Sequence, residues 1–287
     1  MDKSVAIRRP RARWSEVVAL SLLAVATAAL IAPAVAHAID LWSTTEEFSY
    51  GFLVVPISVA LVVLRGDRLR AAGQSGDRFG LAAVAAAVAG FAVAERVGIH
   101  ALAGLMISPL LWGITLYLFG RGVAGAVAFP IGFLAFGFAP YRGLLDSVGF
   151  TLQGVTAQGA AALAAGLGLP IVQNGLVLQL PQFGFIVAEA CSGMSSLLSL
   201  LALASVWIHL AHAGVPSRIA VILSILPIVI AANILRVALV LVVAVQWGPD
   251  AAVGFFHGAS SFVLFGAAVA SLIVISRVVG CRLHIER

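Results

Sequence analysis

The chain reads as an all-α polytopic membrane protein of about eight transmembrane helices with both termini cytoplasmic. A small extracytoplasmic interfacial helix and a β-hairpin precede the sixth span. Three observations predict this. Hydrophobic residues make up 62% and charged residues only 10% of the 287 positions, a balance that suits lipid as solvent. Apolar runs close to the ~17 to 25 residues that cross a bilayer recur at 15–37, 49–64, 79–94, 101–119, 123–140, 192–211, 219–243 and 257–277. Basic residues, finally, fall in alternate loops, as retention of Lys and Arg on the cytoplasmic side requires.

The inner segments hold Lys3, Arg8, Arg9, Arg11, Arg13, Arg65, Arg68, Arg70, Arg78, Arg121, Arg218, Arg277, Arg282 and Arg287, fourteen of the seventeen basic residues. Arg96 and Arg142 lie outside, and Arg236 within a span. The reversed orientation inverts this ratio and is rejected. The net charge of +5 therefore reports topology and contact with anionic lipid headgroups; no basic domain points to nucleic acid. One integral membrane domain covers 1–287: a basic cytoplasmic N-terminus at 1–14, an extracytoplasmic segment at 141–190 and a cytoplasmic tail at 278–287. The expected location is the bacterial cytoplasmic (inner) membrane.

Individual elements follow from local pattern. The first run has a basic start and a small-residue stretch, Ala34-Val35-Ala36-His37-Ala38, like a signal peptide, but its apolar core is long enough to favour an uncleaved anchor. Asp146, Gln153, Thr156 and Gln158 interrupt 144–168, which is read as a helix lying at the interface. Asn174-Gly175 between two β-like runs, 169–173 and 176–180, signals a hairpin, and Pro181 to Gly184 offers a second turn into Phe185-Ile186-Val187. Such a meander could cover a site, present an edge to an extended peptide, or be a structured loop without substrate contact.

Helical rise places three reactive groups at one depth. At ~1.5 Å per residue across ~30 Å of hydrocarbon, Arg236, eighteen residues from Arg218, lies roughly 27 Å from the inner face. His257, twenty residues from Arg277, and Cys191, twenty-one from His212, reach the same outer boundary. Cys191 and Cys281 fall on opposite faces and cannot pair. Cys281, beside Arg282, is read as an inert tail thiol, with lipidation as the alternative. A lone thiol facing an oxidising compartment is better explained by a task.

Local chemistry agrees. Cys191 opens a span, where a helix N-terminus favours a thiolate. Arg236 costs at least ~2.5 kcal/mol inside a span without a partner or polar cavity, and Asn233, three residues earlier, shares its helical face. His257 begins the last span and can move a proton near neutral pH. Each has a plainer explanation: a packing cysteine, a wetted histidine, an arginine snorkelling to phosphates. Their coincidence at one depth, with Glu189 and Asn233 alongside, favours a Cys/His-type catalytic site.

The segments Val187-Ala188-Glu189-Ala190-Cys191-Ser192-Gly193, Asn233-Ile234-Leu235-Arg236-Val237 and Phe256-His257-Gly258 resemble the three signature segments of the exosortase/archaeosortase family. Glu47 to Pro56 resembles its early Tyr-Ser-His-Gly-containing motif, with Tyr50 where the family often has His, so that no role for that histidine transfers. The stretch Gly168-Leu169-Pro170 through Pro181 resembles the family's sequence before the cysteine. The similarity covers about residues 40–275. It implies a membrane cysteine peptidase and transpeptidase acting on PEP-CTERM-type sorting signals, in which Cys191 is the nucleophile, Arg236 stabilises the oxyanion or positions substrate, and His257 is the general acid/base. Glu189 and Asn233 are supporting candidates. Implied partners are exported proteins ending in a short motif, a transmembrane helix and a basic tail, together with a nucleophilic acceptor of unknown identity.

Two other classes compete. A transporter or exopolysaccharide assembly protein explains Arg236 as an anion site but leaves Cys191 without a purpose, and no internal repeat supports it. An intramembrane serine protease would use Ser192, Ser195 or Ser260 with His257, but none of these serines lies in a Gly-x-Ser-Gly segment. No cofactor is expected, and no metal: His37, His100, His209, His212, His257 and His284 form no zinc-like pair outside the membrane, and His209 and His212 are read as wetted at the inner end of their span.

Overall fold

The computed structural model describes residues 14–73, 75–138, 142–187, 192–253 and 255–283, with only the backbone described at 46, 142–146, 253, 255–259, 261 and 283. Helix α1 (Trp14–Thr44) buries a stripe of Ala34, Ala38 and Leu41 at helical spacing and leaves most other apolar side chains exposed, as a lipid-facing helix must. Helices α2 (Gly51–Val63), α3 (Gly66–Ala71), α4 (Phe79–Arg96) and α5 (His100–Leu105) follow.

The next helix, α6 (Ile107–Phe133), is broken at Gly120, whose φ of 81° and ψ of −178° interrupt the helical turn. Trp112 Nε1 donates to Ala124 O at 3.1 Å, a contact that twelve residues of straight helix, about 18 Å, would forbid. The chain therefore reverses at Gly120, and Arg121 immediately after it donates to Asp77 Oδ2 at 2.6 Å. The separately predicted runs 101–119 and 123–140 correspond to the two arms. Trp42 Nε1 donating to Gly137 O at 2.7 Å and Ser58 Oγ to Pro130 O at 2.7 Å tie the second arm to α1 and α2.

Helix α7 (Arg142–Gly166) buries Ala157, Ala160, Ala161 and Ala164 against Val237 and Leu241. Small residues allow this close approach where no hydrophobic drive separates lipid from protein. Gln153 and Thr156, named above as polar interruptions of this helix, are turned into the protein, Thr156 being only 1% exposed. Strands β1 (Val172–Asn174), β2 (Val177–Gln179) and β3 (Gly184–Ile186) form an antiparallel meander in the order β1-β2-β3. Its first turn is at Gly175, φ 61°, and its inner face packs on α7 and α9 through Leu178, Leu180 and Val187.

Helix α8 (Met194–Leu210) leads through β4 (Ala211–His212) into α9 (Val215–Trp247), then α10 (Pro249–Val253), α11 (Phe255–Val278) and β5 (Arg282–Leu283). Four segments, Trp14–Thr44, Phe79–Arg96, His100–Gly137 and Val215–Trp247, are long and apolar enough to cross a membrane, with shorter apolar helices at Gly51–Val63, Met194–Leu210 and Phe262–Val278. The molecule is an all-α polytopic membrane protein. At 33 residues, or ~50 Å, α9 exceeds the ~30 Å hydrocarbon core. Its C-terminal turns at Val237, Val240, Leu241, Val243 and Ala244 are covered by the meander, α7 and α10.

One inner-end expectation is revised. His209 is not simply wetted: its ring stacks on Phe129 at 3.6 Å between centroids, and its Nε2 accepts from Arg65 Nη2 at 2.6 Å. The tail beyond α11 is held in place, because β5 pairs with β4 and Cys281 is fully buried beside Ala211 and Val221. Burial pushes the Cys281 thiol pKa up, while Arg218 pulls the other way. A raised folded-state value favours the neutral thiol; that stabilisation is complete below the ordinary thiol pKa and is lost as pH rises through the folded value. In a Cys191→Ala protein, maleimide at neutral pH should therefore label Cys281 only after denaturation, as read by gel shift; rapid labelling of the folded protein would contradict this burial.

Candidate active site

Asn233 and Arg236 sit three residues apart on the face of α9 turned towards α8 and α11, one turn before the helix leaves the predicted hydrocarbon zone. Asn233 is 5% exposed, and its Nδ2 donates to Thr156 Oγ1 of α7 at 3.0 Å. Such a bond satisfies a buried amide that would otherwise cost ~1 to 3 kcal/mol. Arg236 is half-buried, with Nε inside the protein.

The entry to α8 lies against this pair. Ser192 Oγ accepts from Met194 N at 3.1 Å, and Gly193 caps the helix with φ 77° and ψ 7°. This left-handed conformation favours glycine. A Cβ there would also meet Val229 Cγ1 at 3.2 Å and Asn233 Cγ and Nδ2 at 3.3 Å. Helix α8 thus begins at Met194, not at Cys191 as the sequence suggested, because Gly193 breaks the right-handed turn. Gly193→Ala should cost about 1 to 3 kcal/mol and lower the thermal midpoint of the solubilised protein; an unchanged midpoint would show that the entry to α8 is not held against α9.

Ser196 of α8, Ala232, Asn233 and Arg236 of α9, and Leu264 and Phe265 of α11 line a small pocket of about 30 Å³, room for one or two waters. Ala268 and Leu272 of α11 share a cluster with Val229 and Ile225 of α9, so the two helices run antiparallel. Continued outward, this register sets Arg236 opposite position 261 and His257 about one turn further out. Ser260, on the same stretch of α11, is buried.

The predicted site residues are therefore placed unequally. Arg236 and Asn233 share the pocket. His257 lies on the first turn of α11, its side chain outside the described residues. Cys191 and Glu189 fall within 188–191 and lie outside the described residues, although Ser192 and Gly193, which follow directly, are at the level of Asn233. Tyr50 packs with Phe48, near Met194 and Leu198 in the first turns of α8, so the early motif also borders this region.

Sequence reasoning missed Thr156 and Ser196. Thr156 had been visible only as a polar interruption of an apolar run; what it signalled was a partner on another helix. Among the described residues no group of three His, Cys, Asp or Glu side chains converges as a metal site would require.

A guanidinium, a buried amide and a helix entry around a small polar pocket can hold an anionic or carbonyl oxygen while largely excluding bulk water. No curated protein and no solved structure matches the chain. The family model described as transmembrane exosortase (Exosortase_EpsH) matches residues 42–274, a stretch that takes in the early motif, the entry to α8, Arg236 and the start of α11, and the chain belongs to that family of membrane sorting transpeptidases.

Proposed function

We propose that the protein is a cysteine peptidase and transpeptidase that cleaves PEP-CTERM-like C-terminal sorting signals of exported proteins at the outer face of the bacterial cytoplasmic membrane. In this reading the chain spans the membrane eight times with both termini inside. Cys191 attacks the scissile carbonyl as a thiolate, forming a carbon–sulfur bond and an oxyanion held by Arg236. The carbon–nitrogen bond then breaks, and His257 protonates the departing amine of the C-terminal piece. The thioester left on Cys191 passes its acyl group to an acceptor, water or an amine, whose proton returns through His257. Asn233 keeps the Arg236 face of α9 against the entry to α8, and Glu189 lies two residues from the nucleophile.

The observation that carries this reading is the meeting of Ser196, Arg236 and Leu264, from three helices, on one pocket directly beside Gly193, two residues after Cys191. A substrate tethered by its own transmembrane helix would present its scissile segment at the same level. The test is the covalent intermediate: wild-type enzyme with substrate should accumulate a hydroxylamine-sensitive adduct carrying the N-terminal fragment, absent in Cys191→Ala. An adduct persisting in that variant overturns the assignment.

A further inference from the structure

We propose that the free edge of β3 receives the extended segment of the substrate upstream of the scissile bond as a fourth strand, running parallel to β3 towards Cys191. This rests on the peptidase reading above and adds to it the means of substrate recognition.

The parity of the ladder decides which backbone groups are available. Leu180 N donates to Phe183 O, and Val187 N to Leu176 O, both at 2.9 Å, and Phe185 pairs with Leu178 between them. Odd-numbered residues of this stretch therefore turn their polar groups towards β2, so the N–H and C=O of Gly184 and Ile186 point away from the sheet. Among the described residues no strand pairs with that edge. Edge strands are usually blunted by charge or proline. Here neither occurs within β3, and residues 167–187 contain no charged side chain. An uncharged row of outward backbone groups is a template for strand addition.

Position and direction then select a peptide as the occupant. Phe183 and Phe185 pack against the outer turns of α9 and α10, at Val240, Val243, Ala244 and Ala252. Val187 packs in the cluster that holds Val237 and Leu241. β3 thus lies over α9 between Val237 and Ala244, and Gly193, six residues beyond Val187, lies against Val229 and Asn233. The chain therefore runs back along α9 towards the level of Arg236, with Cys191 falling in sequence between Val187 and Gly193. A substrate whose folded part is outside and whose helix enters the membrane travels the same way, which makes the pairing parallel. The opposite margin, β1, lies two strands away, ~9.6 Å at the usual spacing, and follows α7 instead of leading to Cys191. The side chain of Ile186 is 64% exposed and would contact every second substrate residue.

The test uses full-length enzyme carrying Cys191→Ala and Ile186→Cys, co-expressed with an exported reporter ending in a short motif, an apolar helix and an Arg-rich tail. Single cysteines are placed at successive reporter positions upstream of the cleavage point. Disulfide yield should alternate, with every second position at least fivefold above its neighbours. A flat profile overturns the proposal, as does preferential cross-linking between two enzyme chains, which would assign the edge to a second copy. Because the profile is read without turnover, it stands or falls separately from the role of Cys191. In otherwise native enzyme, Ile186→Pro removes one outward N–H while leaving those that donate to β2, and should cut reporter processing at least tenfold at equal membrane abundance; undiminished processing would also overturn the proposal.

Discussion

Cys191→Ala should abolish processing of a co-expressed substrate while the protein still reaches the membrane. Cys191 is the proposed nucleophile, and removing a nucleophile from a site that acts as a unit typically costs roughly 10⁴-fold or more. The effect should be chemical and not structural, since Gly193, Asn233 and Val229 pack together at the entry to α8. Cys191→Ser offers a sharper comparison, because it keeps the shape and changes only the nucleophile. Immunoblots of precursor and product in membrane fractions supply the measurement. Processing within severalfold of wild type in either variant would end the nucleophile assignment.

Removal of the Arg236 charge should be nearly as severe. Replacing a donor that stabilises a developing oxyanion costs ~10²–10³ in turnover, and Arg236→Ala should show this with substrate association little changed. Arg236→Lys keeps the charge but loses the planar fork and should recover only part of the activity. His257→Ala removes the proton carrier and should cost ~10² to 10⁴. In single-turnover measurements with membranes of equal enzyme content, both losses should appear in the chemical step. If Arg236→Ala only weakened binding, its role would be positioning; near-normal turnover in both alanine variants would leave a reactive thiol without the proposed partners.

Two residues that line the pocket, Asn233 and Arg236, were visible in one dimension because membranes penalise exceptions. An arginine and an asparagine inside an apolar helix stand out by cost alone, and counting helical rise from Arg218 gave the expectation that Arg236 lies near the outer boundary of the hydrocarbon. The meander was equally legible, since Asn174-Gly175 encodes its turn through local backbone preference and Gly175 adopts φ 61°. The reversal at Gly120 was foreshadowed by Arg121, a charge that interrupts the apolar run between 119 and 123.

Other features depend on contacts between distant residues. Thr156 and Asn233 are 77 positions apart, and a polar residue in an apolar run does not reveal whether water or another helix will satisfy it. The same ambiguity concealed the burial of Cys281 and the Arg65–His209 contact.

The sequence by itself determined that this chain lives in lipid, which orientation its basic loops favour, and which few polar groups interrupt its apolar helices, because hydropathy and charge act locally and sum along the chain. Only the tertiary structure decided that the C-terminal turns of α9 are covered by protein, that Gly193 seats the entry to α8 on Asn233, and that β3 pairs on one edge only among the described residues. The physical reason is that lipid and protein interior are equally apolar to a side chain, so composition cannot tell a helix facing acyl chains from one facing its neighbours; packing and hydrogen-bond register must make that distinction.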